Sequence, residues 1–159
     1  MGVRSTVKAL ILNDGKILLN KCVDKNNGDY YSLPGGGQHQ YETIYQALVR
    51  ECLEETGYTI IPIKLVGLCE EISMSEESRK NFPEYAHKMY HVFLCELEKN
   101  EKQIPTEKDE MQINSEWISI NILKEYRILP KIFGENIQKI LGNNAPIFLG
   151  SEYININHG

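Results

Sequence analysis

GGGQHQYETIYQALVRECLEETGY, running from Gly35 to Tyr58, sets three glycines ahead of a helical stretch with glutamates at 51, 54 and 55. Thr43, followed three residues later by Gln46, forms a capping box, so the helix is expected to start there. Gly57 supplies the left-handed residue that closes a helix. At about 100° per residue, Ile44, Tyr45, Leu48, Val49, Cys52 and Leu53 fill one half of the wheel. Glu51, Glu54 and Glu55 then fall together on the rim of that apolar face. Like charges at this spacing cost a few tenths of a kcal/mol per pair, roughly, and partial burial raises the cost. A divalent cation removes it. Oxygen donors alone point to Mg2+ or Mn2+ rather than zinc. The competing reading is a solvated acidic face in which Arg50 and Glu54 form a surface pair.

The glycines bear on that choice. Pro34-Gly35-Gly36-Gly37 lets backbone groups approach a ligand with no side chain between them, so the loop can offer a carbonyl to a metal and N–H groups to a phosphate. The loop lacks the Lys-Ser/Thr of a P-loop.

Outward from this stretch, the 159 residues fit a single domain, 1–159, with 42% hydrophobic and 25% charged residues. The formal net charge of -5 argues against a broad nucleic-acid surface but not against a small nucleotide. Cys22, Cys52, Cys69 and Cys95 form no CxxC pair and read as buried free thiols, which fits a reducing compartment. No apolar run approaches the roughly 20 residues that cross a bilayer, and no signal-peptide pattern opens the chain. A cytoplasmic protein with no membrane partner is expected. A homodimer is neither indicated nor opposed.

Asn13-Asp14-Gly15 between two β-rich runs predicts a hairpin. The run from Thr59 to Ser73 reads as a long strand, or two, interrupted at Pro62 and Gly67. Residues 74–86 read as a polar loop, and 87–97 as a strand with Met89, His91, Phe93 and Cys95 on one face. A charged loop and the short strand Glu116–Ile120 precede one or two helices broken near Pro130, with Asn121 as a cap. The tail after Ala145 shows no clear period. The order of elements predicts an α+β or an α/β/α layered domain.

The stretch resembles the signature of the Nudix hydrolases (MutT-like), G-x5-E-x7-R-E-U-x-E-E-x-G-U, with U a bulky aliphatic. Gly36, Glu42, Arg50, Glu51, Glu54, Glu55 and Gly57 match at the correct spacing, after the usual lead-in Leu33-Pro34-Gly35-Gly36. Cys52 and Tyr58 occupy the U positions, Tyr41 stands where a glycine commonly precedes the first glutamate, and His39 where an acidic residue is frequent. None of these removes an expected ligand.

The resemblance implies an α/β/α sandwich around a mixed sheet, and Mg2+-dependent hydrolysis of a nucleoside diphosphate linked to another moiety. It implies that Glu51, Glu54 and Glu55 hold the metal with the carbonyl of Gly35 or Gly36. Arg50 would orient a carboxylate, Glu42 would brace the loop, and Glu51 or Glu54 would serve as general base. A further acidic ligand is expected before the final strand, with Glu110 chosen from Glu107–Glu110. The expected partner is a small nucleotide, a nucleoside triphosphate or a nucleotide-sugar such as ADP-ribose. Long nucleic acid is not expected. Markers of the NADH and coenzyme A subfamilies are absent, and Met74 stands where the ADP-ribose marker would place a proline. The reading from another class is a non-catalytic nucleotide sensor on the same fold.

Other residues have plainer readings. His87 and His91 lie four apart on a strand, about 13 Å, which favours one His facing the core or the substrate cleft over joint ligation. Tyr30, Tyr31, Phe82 and Tyr85 can stack on a base or pack the core, and Trp117 reads as core.

Overall fold

The computed structural model describes residues 2–25, 28–102 and 112–155. Strands β1 (Arg4–Asn13), β2 (Lys16–Asp24), β3 (Gly28–Ser32) and β4 (Gly35–Gly37) lead into helix α1 (Ile44–Thr56). Then follow β5 (Tyr58–Ser73), a short helix α2 (Glu76–Asn81), β6 (His87–Lys102) and β7 (Gln112–Ser119). Helix α3 (Lys131–Gly142) and β8 (Ile147–Ile154) complete the described chain. The strands form one mixed sheet in the order β3-β2-β1-β6-β5-β8, with β4 added on β1 and β7 on β2. β1 runs parallel to β6 and antiparallel to β4. The expected mixed sheet with helices on it is therefore what the chain forms.

Alternation along the central strands builds two cores. On β1, Val7, Ala9 and Ile11 face α1, where they pack with Leu18, Ala47, Leu48 and Cys52. Leu10 faces the other way, into a cluster with Tyr90, Val92, Phe133, Ile137 and Ile140 beneath α3. All four cysteines are free and buried, and burial pushes the Cys95 thiol up to about 12. The hairpin between β1 and β2 turns on Asp14 and Gly15, both at positive φ (50° and 72°). β5 is one strand; its register against β6 shifts between Pro62 and Lys64 and between Leu65 and Gly67, so the interruptions are bulges rather than ends.

Several expectations change. Residues 76–81 form a helix, capped by Ser75 accepting from the Ser78 amide, where a loop was expected; six polar residues carry no apolar period to announce it. The tail forms β8, whose parallel pairing with β5 is a long-range contact no local pattern reports. Ser119, not Asn121, caps the turn at Ile120–Glu125, accepting from the Asn121 amide at 3.4 Å. Trp117 is half-buried against the α1-side core, its indole N–H donating to the Tyr58 hydroxyl at 3.2 Å. The buried face of α1 is Ala47, Leu48, Cys52, Glu55 and Thr56, while Tyr45 is 54% exposed with its ring edge-on to Phe93.

Candidate active site

Helix α1 begins and ends where its caps dictate. The Thr43 hydroxyl accepts from the Gln46 amide (3.1 Å), the Gln46 side chain accepts from the Thr43 amide (2.9 Å), and Gly57 closes the helix at φ 79°. These ends fix the rotation of the helix against β4. The two elements meet at Gly36, where an added Cβ would lie 2.6 Å from the Glu51 carboxylate. Only glycine lets that carboxylate rest on the strand. At Gly35, φ is 146° and a Cβ would collide with the Val7 carbonyl oxygen, so this position is also restricted.

Arg50 organises the acidic residues. Its Nε donates to Glu42 Oε2 at 2.7 Å and its Nη2 to Glu42 Oε1 at 2.9 Å, a two-point grip on one carboxylate. Nη2 also donates to the Gly37 carbonyl at 3.0 Å. Nη1 donates to Glu51 Oε1 at 2.9 Å and to Glu54 Oε2 at 3.3 Å. The hydrogen bonds from Arg50 hold the Glu42 carboxyl down at about 2, and those carboxylates in return raise the Arg50 guanidinium above its ordinary value. Glu42 also accepts from the His39 amide at 3.0 Å, and its own carbonyl accepts from the Gln38 side chain at 2.7 Å. The guanidinium thus ties the loop after β4 to the outward face of α1.

Glu55 stands apart from its neighbours. It is buried, and its Oε1 accepts from the Gly35 amide at 3.1 Å while Oε2 accepts from Asn20 Nδ2 at 3.2 Å. Behind it, Asn20 Oδ1 accepts from Gln112 Nε2 (3.2 Å) and from the Ser115 hydroxyl (2.8 Å), and Gln112 Nε2 also reaches the Glu55 carbonyl (3.1 Å). The sequence reading missed Asn20, Gln112 and Ser115. The first carried a signal: a lone amide at position 20 directly after the apolar run Ile17–Leu19 in a stretch read as strand.

The predicted residues therefore divide. Arg50, Glu51, Glu54 and Gly36 come together, with Glu42 bracing Arg50. Glu55 and Gly35 pair with one another one layer deeper. Glu110 lies outside the described residues. His87 and His91 do not meet: His87 Nε2 pairs with Glu70 Oε2 at 2.7 Å, and His91 Nδ1 lies 3.2 Å from the Thr6 carbonyl oxygen.

Among the described residues, no three His, Cys, Asp or Glu side chains are already gathered as a metal cage. The donor set still fits a hard cation. Glu51 and Glu54 converge on a single guanidinium nitrogen, so two carboxylate oxygens already reach one positive centre. Two carboxylates are what Mg2+ commonly takes from a protein, with substrate phosphate supplying more oxygens.

A family model for the NUDIX domain matches residues 2–135. A Caenorhabditis elegans protein named "Putative nudix hydrolase 1" is 28% identical over 116 residues, which are 73% of this chain and 28% of that one. The chain thus spans little more than a quarter of that relative's length. Among solved structures, a NUDIX hydrolase from Nitrosomonas europaea superimposes with a TM-score of 0.70 at 22% identity, covering 92% of this chain and 94% of that one. An ADP-ribose pyrophosphatase from Streptococcus suis gives 0.63 at 21% identity, covering 95% and 100%. At these identities the superpositions speak for the fold. Among the described residues, no helix is long and apolar enough to cross a membrane.

Proposed function

The chain belongs to the NUDIX family of hydrolases, and from that premise we propose that it cleaves the pyrophosphate bond of a nucleoside diphosphate linked to another moiety, with Mg2+ (or Mn2+) as cofactor, releasing a nucleoside monophosphate. The observation that carries this reading is the convergence of Glu51 and Glu54 on Arg50 beside the bare backbone of Gly36. The relative named for ADP-ribose and a structural neighbour named UDP-X diphosphatase support a small nucleotide substrate. Residues 1–159 are taken as a single catalytic domain.

Glu51 and Glu54 would hold the metal, with Glu55 and the backbone of Gly35 and Gly36 completing the site. Magnesium, when bound, supplies positive charge that offsets the pyrophosphate's repulsion of a nucleophile and makes water easier to deprotonate. The chain's own contribution is positioning. Glu42, gripped at two points, fixes the plane of the Arg50 guanidinium, and that plane fixes where Glu51 and Glu54 point. In the alternative arrangement one of these two carboxylates, Glu51 or Glu54, would leave the metal to the other and to Glu55 and would itself accept the proton of the attacking water. The Asn20–Gln112–Ser115 group holds Glu55 against the Gly35 amide and so sets the height of the glycine strand above α1.

The test is incubation of purified protein with nucleoside triphosphates, ADP-ribose, other nucleotide-sugars and dinucleoside polyphosphates, with Mg2+ and with EDTA, followed by chromatography. Release of a nucleoside monophosphate that EDTA abolishes is expected. Tight nucleotide binding with no product from any compound would instead favour the sensor.

A further inference from the structure

The outermost strands of a sheet carry unpaired N–H and C=O groups, and folded chains cover or blunt those edges. The long sheet ends in β3 on one side and β8 on the other. β3 is covered: the Tyr31 amide donates to the Arg127 carbonyl at 2.8 Å and the Leu129 amide to the Tyr31 carbonyl at 2.9 Å, so residues 127–129 run along it. On the other side, the part of β5 that precedes Gly67 is not paired with β8, and it is blunted by Pro62 and by its register shifts against β6. β8 has neither cover nor a blunting cation. Its sequence, IFLGSEYI, contains no proline, lysine or arginine, and among the described residues β5 is its only strand partner.

Two aromatic rings stand on this edge. Phe148, 58% exposed, lies opposite Leu68 of β5, and Tyr153, 65% exposed, lies opposite Ile72. Leu68, Glu70 and Ile72 alternate with Cys69, which packs in the α3-side core, so both rings lie on the α1 side of the sheet. Ser151 is on that side too, its hydroxyl donating to Glu70 Oε1 at 2.8 Å. Leu149 and Glu152 are on the other: Leu149 packs against the α3-side core, and Glu152 Oε2 accepts from the Ile132 amide of α3 at 3.4 Å. Gly150, at φ 111°, absorbs the extra residue that β8 carries against β5.

We propose that β8 pairs antiparallel with β8 of a second copy of the chain, about a two-fold axis between Gly150 and Ser151. In that register the strand is complementary to itself over all eight residues: Ile147 faces Ile154, Phe148 faces Tyr153, Leu149 faces Glu152 and Gly150 faces Ser151 of the other copy. Facing side chains come from the same side of the sheet, as antiparallel pairing requires. Two aromatic pairs form on the α1 side, and no carboxylate meets a carboxylate. A slip of one residue would set Phe148 against Glu152. The irregularity at Gly150 falls on the axis, and the two-fold closes the assembly at two copies. The exposed parts of the two rings amount to about 250 Å2 per protomer. With the strand edge added, this is less than the roughly 800 Å2 per partner of a standard interface, so the dimer forms and exchanges with concentration. The pairing does not depend on whether the chain hydrolyses nucleotides.

The test is sedimentation velocity from about 1 to about 300 μM on wild type, Phe148→Lys, Tyr153→Glu and the double variant, with far-UV dichroism as the check on folding. Wild type should pass from monomer to dimer across that range. Each single variant loses an aromatic pair on both sides of the axis and should associate roughly tenfold more weakly. The double variant should recover most of the loss, because the introduced ammonium faces the introduced carboxylate of the other copy. Within one protomer those two groups are about 16 Å apart along the strand and cannot meet. A wild type that stays monomeric throughout overturns the proposal and leaves the edge to an extended segment of another protein. A dimer that neither single variant weakens, or a double variant no stronger than the singles, overturns it as well.

Discussion

Removing the grip of Arg50 on Glu42 should expose how much of the site's order is electrostatic. The Glu42 carboxyl is held at about 2 instead of 4.5, chiefly by hydrogen bonds from Arg50. At about 1.36 kcal/mol per tenfold change, that displacement is at most about 3.4 kcal/mol. The two side chains are 23% and 15% exposed, so water and salt screen part of it. Roughly half remains, about 1.5–2 kcal/mol, which is above the range for exposed pairs and below that for buried ones. The assay is a double-mutant cycle of Arg50→Met and Glu42→Gln, read by urea unfolding at pH 7. Arg50→Met should cost more than Glu42→Gln, because it also releases Glu51, Glu54 and the Gly37 carbonyl. The coupling between the two positions should be about 1.5–2 kcal/mol. A coupling below about 0.5 kcal/mol, typical of a loose surface pair, would refute the reasoning.

Three further outcomes follow from the same geometry. Because the Glu42 carboxyl is depressed in the folded protein, its stabilisation is complete above 4.5 and is lost as pH falls towards about 2; the thermal midpoints of wild type and Glu42→Gln should therefore converge over that window. Gly36→Ala, whose Cβ would lie 2.6 Å from the Glu51 carboxylate, should lower kcat by roughly a hundredfold while far-UV dichroism stays unchanged. Leu48→Ala, at a fully buried position behind the glutamates, should cost about 2–5 kcal/mol in urea unfolding.

What the sequence discloses is what is set locally. The caps of α1 at Thr43 and Gly57 depend on residues no more than a turn away, and the Asp14-Gly15 turn depends on two. The spacing of Glu51 and Glu54 on one side of Arg50 follows from helical geometry alone. The buried face of the same helix does not. A wheel assigns Tyr45 and Leu53 to the core because they are apolar, whereas Glu55 is buried because distant groups, Asn20 and Gly35, satisfy its carboxylate, and Thr56 because its hydroxyl donates one turn back to the Cys52 carbonyl at 2.6 Å. The three-residue strand β4 was hidden among glycines with no strand propensity, and only pairing with β1 makes it one. Thr6 and Lys8 were visible as polar letters, but their burial depended on the central place of β1 in the sheet.

The central claim is that the carboxylates of α1 carry out a hydrolysis. Its most direct test is to compare wild type with Glu54→Gln for nucleoside monophosphate release from the most rapidly cleaved nucleotide, in Mg2+. The substitution keeps the size and polarity of a side chain that is 25% exposed, so folding should be unaffected. The account predicts that release falls by at least about a hundredfold while the urea midpoint stays within experimental error. Wild-type release by a folded Glu54→Gln protein would contradict it.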